Sequence, residues 1–279
     1  MARGQDAASA RGTLDPMSTR RTSEATNHSG VSPFENAGLR DVVVVATMTW
    51  ARSAAEEKLL VRSMAALSEL GLPIVAAGRD TSDSLRGRLE GVPGLQLTSS
   101  PAEDLTTQVT HALASAMSSG RPWILYTEPD KEQFFREGGA SRFLERALSG
   151  PTAPEEAVVS QPGVIIAARS AGSLATYPPM QRYAEGVFNH LCEQVLRVPG
   201  DYCYGPFLLR RDVAAALDLK RELGWGWRPR AFRKAQQLGS GLAIITDDYP
   251  CPADQREEDD GERIHRMRQL SQNIHGLTV

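Results

Sequence analysis

The chain has 279 residues, 41% hydrophobic and 23% charged, with a formal net charge of −3 and a pI near 6.0. That length holds one large α/β domain or two small ones, the composition is that of a soluble globular protein, and the charge balance excludes the overall basic footprint of a nucleic-acid binder. No apolar run approaches the roughly 18 residues that cross a bilayer. The N-terminus lacks a continuous apolar stretch of the kind secretory signals carry. Cys192, Cys203 and Cys251 form no Cys-x-x-Cys pair and read as packing residues in a reducing cytoplasm.

In chain order, residues 1–38 are rich in Ala, Arg, Ser, Thr and Gly and nearly empty of large apolar side chains. Such a segment cannot bury enough surface to offset its ordering entropy and is expected to be disordered, with Met17 as an alternative start. Val42 to Ala46 is a continuous β-branched run, expected as a strand buried on both faces. Ser53 with Glu56 forms a capping box for a helix whose Leu59, Leu60, Met64, Leu67 and Leu70 recur at helical spacing up to Gly71. Pro73–Ala77 and Leu95–Thr98 are the next strands, Ala102–Met117 the next helix, and Ile124–Tyr126 a fourth strand. This alternation predicts a doubly wound α/β fold, a Rossmann-like and mostly parallel sheet with helices on both faces.

Beyond it, Phe134–Leu148 is expected to be helical, followed by a Pro/Glu-rich loop near Pro151–Glu156. Val158–Val159 and Val164–Ala168 read as strand material. Helices are expected over Met180–Leu196 and Asp212–Leu223 with a glycine-punctuated segment, Tyr202–Leu209, between them, and Trp225-Gly226-Trp227-Arg228-Pro229 leads into a helix through Leu238. Leu242–Ile245 is a last strand, and Ile264, Met267, Leu270 and Ile274 give a final helix one apolar face.

The fourth strand stops at Glu128-Pro129-Asp130. Ligands of open α/β sheets bind outside the carboxyl ends of the strands. Two carboxylates there, one residue apart, point to a divalent cation held by hard oxygen ligands. A Ser/Asp-rich turn with Asp80 follows the second strand, and its other reading is a helix cap. Thr47 and Trp50 follow the first strand. Tyr204 and Gly205 sit in a glycine turn, and Gly224-Trp225-Gly226-Trp227-Arg228-Pro229-Arg230 opens a helix that carries Arg233.

From about residue 41 to 275 this layout resembles the GT-A fold of nucleotide-sugar glycosyltransferases, of the family 2-like type that glycosylates glycerate or phosphoglycerate. The resemblance matches Glu128-Pro129-Asp130 to the family's Asp-x-Asp motif, a departure in the first and middle residues. It divides a single domain at 39–279 into a nucleotide-binding half, 39–131, and an acceptor-binding half, 132–279. It implies Mg²⁺ or Mn²⁺ on Asp130 and Glu128, with the late His265 as third ligand. It places Thr47, Trp50, Asp80 and Glu128 at the nucleotide of a UDP- or GDP-sugar, and Asp130 and Arg228 at the chemistry. Tyr204, Gly205, Trp225, Trp227 and Arg230 then face a small acceptor, which the Arg228, Arg230 and Arg233 cluster suggests is anionic. Arginines stand where inverting members of the family keep an acid. The other function class is a domain of this fold that binds nucleotide or sugar without catalysis. Oligomeric state stays open, a homodimer included.

Overall fold

The computed structural model describes residues 37–49, 51, 53–78, 82–101, 104–149 and 162–278. The expectations for residues 1–36, Trp50, Asp80, Pro151–Glu156 and Val158–Val159 lie outside the described residues. Among the described residues seven strands form one sheet: β1 (Val43–Met48), β2 (Ile74–Gly78), β3 (Leu95–Ser99), β4 (Trp123–Tyr126), β5 (Val164–Arg169), β6 (Phe207–Arg210) and β7 (Leu242–Asp247). Their order is β3-β2-β1-β4-β6-β5-β7, parallel except for β6, which runs antiparallel to both β4 and β5.

The helices are α1 (Ala37–Val42), α2 (Ala54–Ser68), α3 (Asp83–Glu90), α4 (Leu105–Ser118), α5 (Glu132–Phe135), α6 (Gly139–Leu148), α7 (Ala171–Leu174), α8 (Pro179–Leu196), α9 (Arg211–Ala215), α10 (Trp227–Gln237) and α11 (Asp260–Thr278). They cover both faces of the sheet. Val44, Ala46 and Met48 pack with α4, α8 and α10 on one side, while Val43 and Val45 pack with α2, α3 and α6 on the other. Burial on both faces explains why β1 reads as an unbroken apolar run rather than an alternation. Ser53 accepts a hydrogen bond from the Glu56 amide at 3.2 Å, and Asp104 caps α4 through the Thr107 amide at 2.9 Å. The three cysteines are buried free thiols.

Four elements differ from expectation. α1 begins inside the segment expected to be disordered, at Ala37. The helix expected over Phe134–Leu148 breaks at Glu137 and Gly138, both at positive φ (53° and 70°), and resumes at Gly139. The helix expected to run from Asp212 to Leu223 stops at Ala215, because Leu217 and Leu219 both pack on the core at a spacing of two, which only an extended chain allows. β6 is the largest difference. Its Phe-Leu-Leu run is buried on both faces and fills the gap between β4 and β5.

That antiparallel strand positions the site. In the register Phe207 lies opposite Tyr126. The residues that enter β6 are therefore beside those that leave β4, and Gly205 comes to stand against Glu128.

Candidate active site

A cleft of about 660 Å³ opens at the carboxyl ends of β1, β4 and β5. Its floor is Glu128, Asp130, Lys131 and Arg228. One wall is α11, through His265, Arg266 and Asn273, and another is the start of α8, through Gln181 and Glu185. This is the location general to open α/β sheets.

The floor is built by a tight turn. Lys131 N–H donates to the Glu128 carbonyl at 3.2 Å, closing a four-residue turn with Pro129 in its second position. Proline presets the φ that this position needs. The turn folds Lys131 back over the strand end, so that Nζ lies 2.6 Å from Asp130 Oδ2 and 3.5 Å from Glu128 Oε2. The other oxygen of Glu128 faces Arg228 Nη1 at 3.4 Å. Glu128 is thus a buried carboxylate held between two cations, its side chain only 4% exposed against 51% for Asp130.

The two acids are split electrostatically. Burial lifts the Glu128 carboxyl above its ordinary value, against the pull of Arg228 and Lys131. At Asp130 desolvation also works to raise the value, but the Lys131 ammonium outweighs it and holds the carboxyl below the usual range. Burial works to lower the Lys131 value, and Asp130 and Glu128 raise it instead, so the ammonium is firmly charged.

Arg228 is delivered by the glycine-tryptophan turn. Gly226 and Gly276 of α11 face each other so closely that a Cβ on either would collide with the other segment's backbone. A side chain at Gly224 would stand 2.6 Å from the Gln272 amide, and that amide's oxygen accepts from Trp225 N–H at 3.1 Å. Glycines are required here because two backbones meet. α10 therefore starts in one place, with Arg228 aimed at Glu128 and its guanidinium 5.2 Å from the Trp225 ring.

Several expected site residues are brought together: Glu128, Asp130, Tyr204, Trp225, Arg228 and His265 all line the cleft. Others are not. Trp227 is fully buried and packs edge-on against Tyr126 at 4.5 Å between centroids, so it is a core residue and offers no face to an acceptor. Thr47 is fully buried within β1, and its neighbour Met48 reaches the cleft instead. Arg230 and Arg233 do not line the cleft, which reduces the expected basic cluster to Arg228. Gly205 has φ 126°, and a Cβ there would collide with Glu128 Oε2 and stand 2.8 Å from Lys131 Cε. Its smallness serves the floor of the site rather than an acceptor. Tyr204 is stacked on Tyr249 at 4.7 Å and mostly buried.

The expected metal triad also fails to assemble. Among the described residues no group of three or more His, Cys, Asp and Glu is gathered to hold a metal ion. Both oxygens of Glu128 and one of Asp130 already face cations. Hard divalent ions need such oxygens for themselves, so the residues as arranged do not fit Mg²⁺ or Mn²⁺.

Sequence reading missed Lys131, although it ends the same motif, and Arg266, which follows His265 on α11. It also missed Arg169 at the end of β5. The Arg169 side chain is 1% exposed and bonds Asp201 at 2.6 and 3.0 Å and Glu185 at 2.6 Å, with its guanidinium 4.4 Å from the Tyr177 ring. A charged residue ending a buried strand was the available signal.

No protein-family model matches the chain, and no curated protein matches it in sequence. Solved structures match it in fold. A mycobacterial protein superposes with a TM-score of 0.61 at 11% identity, over 89% of this chain and 80% of its own. Glucosyl-3-phosphoglycerate synthase from Mycobacterium tuberculosis, in complex with Mn²⁺, UDP and phosphoglyceric acid, gives 0.54 at 11% identity, over 88% and 81%. Mannosyl-3-phosphoglycerate synthase from Rubrobacter xylanophilus gives 0.53 at 15% identity, over 86% and 74%. The likeness is one of fold, and the chain has the GT-A fold of these nucleotide-sugar glycosyltransferases. Among the described residues no helix is long and apolar enough to cross a membrane.

Proposed function

We propose that the chain is a glycosyltransferase that moves a hexose from a UDP- or GDP-linked donor to a small anionic acceptor. One observation carries this reading. The Glu128-Pro129-Asp130 turn ends the central strand of a GT-A sheet and forms the floor of a cleft of about 660 Å³, a volume suited to a nucleotide-sized ligand.

The chemistry follows from charge. A departing nucleoside diphosphate develops negative charge, and preorganised positive groups stabilise it most where water is scarce. Arg228 is buried and aimed into the floor by Glu128, and guanidinium binds phosphate or carboxylate oxygens in pairs. Asp130 is the acid left half exposed beside it, and we assign it to the hydroxyl groups of the donor, from which an ionised carboxylate accepts. The acceptor's anionic character is supported by the phosphoglycerate-using neighbours and by the cations of the floor. The rim bears Asp254, Glu257, Glu258 and Glu262, so an anion is attracted only once it reaches the floor. The Mg²⁺ or Mn²⁺ expected from the resemblance accompanies UDP in neighbouring structures. In this chain Lys131 and Arg228 hold the carboxylates that would ligate it.

The test is direct. The protein is incubated with UDP- and GDP-hexoses and with glycerate or 3-phosphoglycerate, with and without Mn²⁺, and nucleoside diphosphate release is followed together with product mass. Acceptor-dependent release that Asp130→Asn abolishes is the expected result. Absence of nucleotide binding under every condition sinks the reading.

A second reading, a module that binds nucleotide or sugar without transfer, is favoured by the ion-paired Glu128 and by Arg228 standing where inverting relatives keep an acid. Nucleotide binding with no release from any donor would select it.

A further inference from the structure

We propose that Lys131 is the cation of the donor-diphosphate site, its ammonium seated between Glu128 and Asp130 in place of a divalent ion. This rests on the glycosyltransferase reading and names how that site neutralises its ligand.

Three observations carry it. Nζ is 2.6 Å from Asp130 Oδ2 and 3.5 Å from Glu128 Oε2, bridging the two carboxylates of the motif. The bridge is imposed by the backbone, because the Pro129 turn closed by Lys131 N–H on the Glu128 carbonyl brings residue 131 over residue 128. The space is also enclosed: Gly205 approaches so closely that a Cβ would collide with Glu128 and stand 2.8 Å from Lys131 Cε. The absent side chain at Gly205 leaves the room that the ends of Glu128 and Lys131 occupy.

The charge count agrees. Within the floor, Glu128 and Asp130 are matched by Lys131 and Arg228, and the other acids of the cleft lie away from this pair of carboxylates on its rim and walls. An ammonium carries three N–H donors. One is donated to Asp130 and the ammonium also faces Glu128 at 3.5 Å, which leaves donor capacity for a phosphate oxygen, and Lys131 lines the cleft. Arg266, also on the cleft wall, adds a further cation. Lysine serves phosphates as a point charge in this way elsewhere.

The experiment is titration of the full-length protein with UDP and GDP by calorimetry, in EDTA and then in Mn²⁺ or Mg²⁺, for wild type, Lys131→Met and Lys131→Arg. Expected is wild-type binding in EDTA that metal changes by less than about threefold. Lys131→Met is expected to lose about tenfold or more, the worth of one charge-assisted hydrogen bond, and Lys131→Arg to keep most of the affinity. Wild-type binding that appears only with metal overturns the inference and leaves the glycosyltransferase reading standing. Wild-type affinity retained by Lys131→Met in EDTA also overturns it. Absence of binding by either nucleotide in every condition overturns both. The wild-type comparison needs no variant, so a folding defect in Lys131→Met does not shelter the inference.

Discussion

Gly205 and Glu128 fit together as a lock of backbone against side chain. Gly205 sits at φ 126°, and any Cβ there would collide with Glu128 Oε2. The contact exists because β6 is antiparallel to β4, which sets the entry of one strand beside the exit of the other. A feature of sheet topology thus decides how a buried carboxylate is held.

Replacing Gly205 with alanine tests that relationship. The substitution forces both a strained φ and a collision, so we expect a loss of about 1–3 kcal/mol in unfolding free energy and a larger relative loss of nucleotide affinity. Chemical denaturation alongside calorimetric titration separates the two effects. Unchanged affinity would mean that the Glu128 position is not set by Gly205.

The Glu128–Arg228 pair is buried on both sides. Arg228→Met leaves Glu128 with Lys131 alone as its counter-charge, so the expected cost is below the ~3–5 kcal/mol of a fully stranded buried charge. Adding Glu128→Gln should recover part of that loss, and a double-mutant cycle reads the coupling. Strict additivity would show that the two side chains do not interact in solution.

Two tryptophans two residues apart should behave oppositely. Trp227 is fully buried among Tyr126 and Phe207, and Trp227→Ala is expected to cost about 3–5 kcal/mol of stability. Trp225 lines the cleft beneath Arg228. Trp225→Ala should leave the melting temperature within a few degrees and weaken ligand binding. Thermal unfolding with and without nucleotide distinguishes them.

Asp201 predicts the acid limb of stability. Burial opposes its ionisation, but Arg169, the Cys203 amide and Asn189 outweigh that and hold its carboxyl below the ordinary range. Folded Asp201 therefore binds its proton less tightly than unfolded Asp201. Its contribution is complete above the unfolded value of about 3.9 and is lost as pH falls through the folded value. Asp201→Asn should lower stability at neutral pH, by less than the ~3–5 kcal/mol of a fully stranded buried charge, because Arg169 loses one carboxylate and keeps Glu185. It should also flatten the decline of stability below about pH 4. Urea midpoints measured across pH read both.

The parallel half was legible because β1, β2 and β4 are buried on both faces and helix caps such as Ser53 and Asp104 announce their elements. β6 was not, since its four residues pair with strands more than 30 positions away in sequence and nothing local states their direction. At the site, the position of Glu128-Pro129-Asp130 was readable, whereas the partner of each charge was not. Lys131 stood in plain view, but only the turn geometry turns it onto the acids. Gly226 and Gly276 form one contact from two distant segments. Trp225 and Trp227 are alike in sequence and differ only in which side of the α10 start they face.

The most direct test is a crystal structure of the chain with UDP bound, grown with Mn²⁺ present. The diphosphate is expected in the cleft at the end of β4, with a phosphate oxygen about 3 Å from Lys131 Nζ. Nucleotide seated outside that cleft, or a diphosphate there with no contact to Lys131 or Arg228, would contradict this expectation.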